Sequence, residues 1–98
     1  MGLQHSDRAS LEKIIDEAIN HMPEIIQIFR SDKIKHEYQI KNPDEFTYGY
    51  IHGKIMTLFS ASYVTTHENP LGDEQFIEIR DVLKRRSRDI KEAIFNCG

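Results

Sequence analysis

The stretch Phe46–Val64, "FTYGYIHGKIMTLFSASYV", holds one lysine, one histidine and no acid, in a chain whose residues are 30% charged. A membrane span needs about twenty predominantly apolar residues. This stretch is rich in Tyr, Thr, Ser and Gly, and a lysine at mid-span alone costs roughly 2.5–3.5 kcal/mol on the insertion scale. It reads instead as the spine of a helical bundle. On a helical wheel Thr47, Tyr50, Lys54, Thr57, Ala61 and Thr65 form a narrow, mostly polar stripe. The rest of the circumference carries Ile51, Ile55, Met56, Leu58, Phe59 and Tyr63, with Gly49, Gly53 and Ser60 between them. So wide an apolar arc is covered on more than one side, and a second copy of the chain is the natural cover for what two intrachain neighbours leave open.

Immediately upstream stands "NPDEF", residues 42–46. Asn42 suits the N-cap, Pro43 the first helical position and Glu45 the third, where an acid also complements the helix dipole. Downstream, "HENPLGD" breaks the helix after His67, with Pro70 and Gly72 as punctuation. The second helix therefore runs from Pro43 to about His67.

A first segment precedes it. Leu11, Ile14, Ile15, Ala18, Ile19, Met22, Ile25, Ile26 and Phe29 recur at about 100° per residue, with Asp7 or Ser10 to cap the start. Pro23 sits within that pattern and removes a backbone donor, which predicts a kink near residues 20–22. The polar run "RSDKIKHEYQIKN" leaves the end of this helix open. A third segment, "DEQFIEIRDVLKRRSRDIKEAIF", places Phe76, Ile79, Val82, Leu83, Ile90, Ala93 and Ile94 on one face. No alternating run predicts a strand. The expectation is an all-α fold: a three-helix bundle with its first helix kinked near Pro23, completed by homodimerisation through Gly49, Gly53, Met56 and Ser60. Residues 1–98 form one helical domain with loose ends at 1–9 and 96–98.

The net charge of -3 gives no general attraction to polyanions. One cysteine, Cys97, excludes an intrachain disulfide and any zinc spacing. The absence of an apolar run in "MGLQHSDRASLEK" argues against a secretory signal, and the expected compartment is the cytoplasm.

Several polar residues fall on apolar faces. Arg86 lies among Ile79, Val82, Ile90 and Ala93, and a buried arginine needs an anionic partner. Glu17 is a candidate, with His21 one turn later, and His52 lies within the broad arc of the second helix. Arg86, His52, Glu17 and His21 thus make either an internal polar network or an anion pocket. The run "KRRSR", residues 84–88, divides on a helix: Arg86 turns inward, while Arg80, Lys84, Arg88 and Lys91 form one exposed stripe. They make either a solvated face with pairs such as Arg88–Glu92 or a phosphate-binding stripe, without the aromatics that base stacking needs.

No nucleophilic triad or phosphate loop is present. The Glu-x-x-His pairs of a di-iron bundle are also missing, so neither metal nor cofactor is expected. Arg30 and His36 share the R-x(4–6)-H spacing of HEPN-type helical ribonucleases, but roughly one such match is expected by chance in a chain of this composition. The three-helix layout is similar to an intertwined chorismate mutase, whose early arginines are missing between Leu11 and Phe29. The sequence thus favours a small non-enzymatic interaction or regulatory module. The alternative is a nucleic-acid-binding protein using Arg80, Lys84, Arg85 and Arg88. A helical enzyme with an Arg86/His52 anion pocket is third.

Overall fold

The computed structural model describes residues 2–97 and is all-helical, with no strand among them. Five helices follow one another: α1 (His5–Asn20), α2 (Met22–Arg30), α3 (Asp32–Glu37), α4 (Pro43–His67) and α5 (Asp73–Phe95). The bounds of α4 and α5 coincide with the sequence reading. At α4 the Asn42 side chain accepts from the Glu45 amide at 3.1 Å, with Pro43 as the first helical residue. The helix closes at Glu68, which takes a left-handed conformation (φ 58°).

The expected kinked first helix is instead two helices. The chain breaks at His21 (φ -91°, ψ 3°), and Pro23 takes the second position of α2. Proline has no amide to lose there, because the first-turn amides of a helix are unpaired in any case. The vague tail contains a further short helix, α3, capped by Ser31, whose hydroxyl accepts from the Ile34 amide.

Contacts reach into both ends expected to be loose. Leu3 belongs to the core, and its amide donates to Glu78 on α5. At the other end the Cys97 thiol donates to the Ala93 carbonyl. Helix α1 starts at His5, ahead of both candidate caps. Asp7 acts from inside the first turn, accepting from the Gln4 amide at 3.1 Å.

Helix α4 packs against α1, α2 and α5. It runs antiparallel to α1 and to α5. Asp7 near the start of α1 meets His67 at the end of α4, with 2.8 Å between Oδ1 and Nε2. At the opposite end Arg30 joins three elements. Its Nε donates to Asp44 at 3.0 Å, and its two terminal nitrogens donate to the carbonyls of Ile94 and Cys97 at 3.1 and 3.2 Å. A cation on the last carbonyls of α5 satisfies groups that a helix end leaves open.

The core is one cluster: Leu11, Ile15 and Ala18 from α1, Met22, Ile25 and Ile26 from α2, Ile51, Ile55 and Phe59 from α4, and Ile79, Val82, Leu83, Ile90 and Ile94 from α5. Thr47 corrects the wheel drawn from the sequence. It is fully buried at the head of the Ile51–Ile55–Phe59 row, one turn before Ile51, and its hydroxyl donates to the Pro43 carbonyl at 2.7 Å. A threonine can be buried this way because the helix's own backbone takes its proton. Phe76, expected on the buried face, is exposed, as is its neighbour Ile77.

Candidate functional site

The residues singled out in the sequence separate into three places. Arg86 lies on the α1–α5 seam, where the parallel run of the two helices brings acids of α1 beneath it. Its Nη1 donates to Glu12 at 2.6 Å, Nη2 to Asp16 at 2.7 Å and Nε to Asp89 at 2.7 Å. The hydrogen bond to Asp16 is the largest cause of a pKa raised above the ordinary arginine value, against an opposing desolvation, with Asp89 and Glu12 adding to the rise. Arg86 is thus a fixed charge, and each of its three guanidinium nitrogens donates to one of this chain's own acids.

Glu17 is not among those partners. It lies on the same helix as Glu12 and Asp16 but about 100° round from Asp16. It lines a small surface depression on the α4 side, together with His21, Lys54 and Leu58. Both Glu17 and His21 are exposed. His52 is elsewhere again, so Arg86, His52, Glu17 and His21 do not form one cluster.

The basic run is also divided. Arg85 donates to Glu12 at 3.0 Å and Arg88 to Glu92 at 3.2 Å. Arg8 and Arg30 are held by Glu78 and Asp44. Among the described residues, Arg80 is the one arginine of the six that has no carboxylate partner. It stands with Lys84 at the edge of a cleft between α4 and α5 of about 620 Å³, walled by Tyr48, His52, Met56, Ile77, Asp81, Leu83 and Ser87. Two sequence groups therefore meet in one place: His52 from the expected pocket, and Arg80 and Lys84 from the expected phosphate stripe. No sequence signal joined them, because they lie on different helices whose relative rotation is set by packing.

Beside this cleft lies the outer face of α4. Gly49, Gly53, Thr57, Ala61 and Val64 are exposed there, and Met56 and Ser60 are half-buried at its edge. From Phe46 to Thr66 the helix carries no Asp, Glu or Arg and a single lysine, Lys54, besides His52. A Cβ built on Gly49 or on Gly53 meets nothing within 4 Å. Neither glycine is required by packing within the chain.

No family model, curated protein or solved structure matches this chain. Among the described residues no group of three or more His, Cys, Asp or Glu is placed to hold a metal ion. No described helix is long and apolar enough to cross a membrane.

Proposed function

We propose that this chain is a non-catalytic interaction module that acts as a homodimer, two copies meeting through the outer face of α4. The carrying observation is the pair of exposed mid-helix glycines. Each destabilises the helix by about 1 kcal/mol relative to alanine, and nothing within the chain requires the missing side chains. Close approach of a second helix would use both. Two helices ordinarily pack at 8–10 Å, and small residues allow the shorter end of that range.

Surface area supports the same reading. A monomer of 11.5 kDa is expected to expose about 5,800 Å². This chain exposes 6745 Å², an excess of about 900 Å². One partner's share of a standard protein interface is about 800 Å². The extents of 45 × 24 × 18 Å describe an elongated molecule, a shape consistent with that excess. The low charge of α4 beyond its first turn supports self-pairing, since a two-fold interface places each residue opposite its own kind or near it, and like charges there repel.

The test is to measure both association and stability of the Gly49→Ala/Gly53→Ala double variant. With the glycines unused, the variant is more stable than the parent by about 2 kcal/mol and its mass in sedimentation is unchanged. With the proposed interface, the parent sediments as a dimer at micromolar concentration and the added methyl groups weaken that dimer. A parent that is monomeric at high concentration refutes the proposal.

A further inference from the structure

We propose that the cleft between α4 and α5 is a binding site for a small organic monoanion, a carboxylate-type head on an acyl or aromatic body, with Arg80 and Lys84 holding the head. This is independent of the dimer reading, which concerns the neighbouring outer face of α4.

Three observations carry it. The first is the contrast among the arginines. Arg8, Arg30, Arg85, Arg86 and Arg88 are each neutralised by an acid of this chain. Among the described residues Arg80 alone is not, although acids outnumber bases 16 to 13 in the sequence. Lys84, one turn along the same face of α5, also makes no ion pair among the described residues. Two adjacent cations left unpaired on one rim give a focused positive potential, and a guanidinium presents a fork matched to a carboxylate.

The second is the lining. Below the cations the walls are apolar: Met56 from α4, buried Leu83 and half-exposed Ile77 from α5, and the ring of Tyr48. Small-molecule sites combine such apolar walls with a few placed polar groups, in volumes of about 300–1,000 Å³, and this cleft is about 620 Å³. An inorganic ion would leave these walls in contact with water; an anion with an apolar body covers them.

The third is the remaining polar groups. His52 lines the cleft from the opposite helix and makes no hydrogen bond among the described residues, so its ring is available to the ligand head. The Ser87 hydroxyl is already committed to the Lys84 carbonyl at 2.8 Å. Asp81 also faces the cleft. Its charge limits the site to a net of about one positive charge, which selects a monoanion over a polyphosphate or a nucleic-acid backbone.

Decanoate and 8-anilinonaphthalene-1-sulfonate are suitable probes. Titration of the sulfonate, followed by its fluorescence, is expected to saturate at one site per chain and to be reversed by decanoate. Amide shifts induced by decanoate are expected to cluster at Tyr48, His52 and Met56 and at residues 77–87. Arg80→Gln/Lys84→Gln is expected to weaken both anions by about ten-fold or more, and binding of the uncharged N-phenylnaphthylamine by less than about two-fold. Arg88→Gln is expected to leave all three unchanged. The proposal is overturned if the native protein shows no saturable binding. It is equally overturned if Arg88→Gln weakens binding as much as the double variant does, or if the shifts fall on Gly49, Gly53 and Thr57 instead.

Discussion

Replacing Arg86 with methionine removes a guanidinium that ties three carboxylates together, while keeping most of the apolar stem. Breaking a fully buried ion pair costs about 3–5 kcal/mol, because the orphaned charge stays dry. That figure does not apply here. The Arg86 side chain is 19% exposed, but Glu12, Asp16 and Asp89 are 36%, 61% and 52% exposed and can be rehydrated once released. Glu12 also keeps Arg85 as a partner. Partly exposed pairs contribute about 0.2–1 kcal/mol each. Three on one well-ordered guanidinium give about 2 kcal/mol. With a urea dependence near 1.3 kcal/mol per molar for a chain of this size, Arg86→Met should lower the unfolding midpoint by about 1.5 M. The difference should shrink as salt is raised to about 0.5 M. Arg86→Lys keeps the charge but cannot reach all three acids, and should fall between the two. An unchanged midpoint would refute the network, leaving a side chain that merely reaches solvent. A loss above about 4 kcal/mol would refute the claim that the acids rehydrate.

Two further predictions concern the frame. Asn42→Ala deletes the side-chain cap of α4 and should cost about 1 kcal/mol, a fall in melting temperature of about 4–8 °C, read by circular dichroism at fixed protein concentration. The hydrogen bond from Arg8 is the largest cause that holds the Glu78 carboxyl below the usual carboxylate range, partly offset by burial and reinforced by the Leu3 amide. A depressed folded pKa contributes stability that is present above the unfolded value and lost as pH falls through the folded one. Chemical denaturation between about pH 5 and 2.5 should therefore show a flatter acid decline for Glu78→Gln than for the parent; an identical slope would count against the contribution of this pair.

Punctuation was the most legible part of the sequence. Asn42-Pro43 and the Pro70–Gly72 break locate α4 because capping and chain stiffness are local effects, settled by neighbouring residues. The break at His21 was visible only as a kink. Whether a proline bends a helix or starts a new one depends on the packing of the two pieces, which no local signal reports. Thr47 was placed on the wrong face for a related reason: the wheel sorted it by polarity, while the helix satisfies its hydroxyl internally.

Site residues were less legible still. The inward turn of Arg86 could be read from the α5 wheel, but its partners Glu12 and Asp16 depend on the parallel run of α1 and α5. The Arg30 clamp on the end of α5 joins residues 14 to 67 positions apart and gave no signal. The unpaired state of Arg80 emerges only when every other arginine's partner is known.

The central claim is that two copies meet at the outer face of α4. Its most direct test is the dipolar distance between single nitroxides on Lys54→Cys, in a Cys97→Ser background. Lys54 borders that face, so a dimer with helices packed at 8–10 Å should bring the two labels within about 25 Å. The same label on Lys13→Cys, on the exposed side of α1, should report a longer separation. A signal without dipolar modulation at 100-micromolar-order concentration, or a shorter distance from Lys13 than from Lys54, would contradict the account.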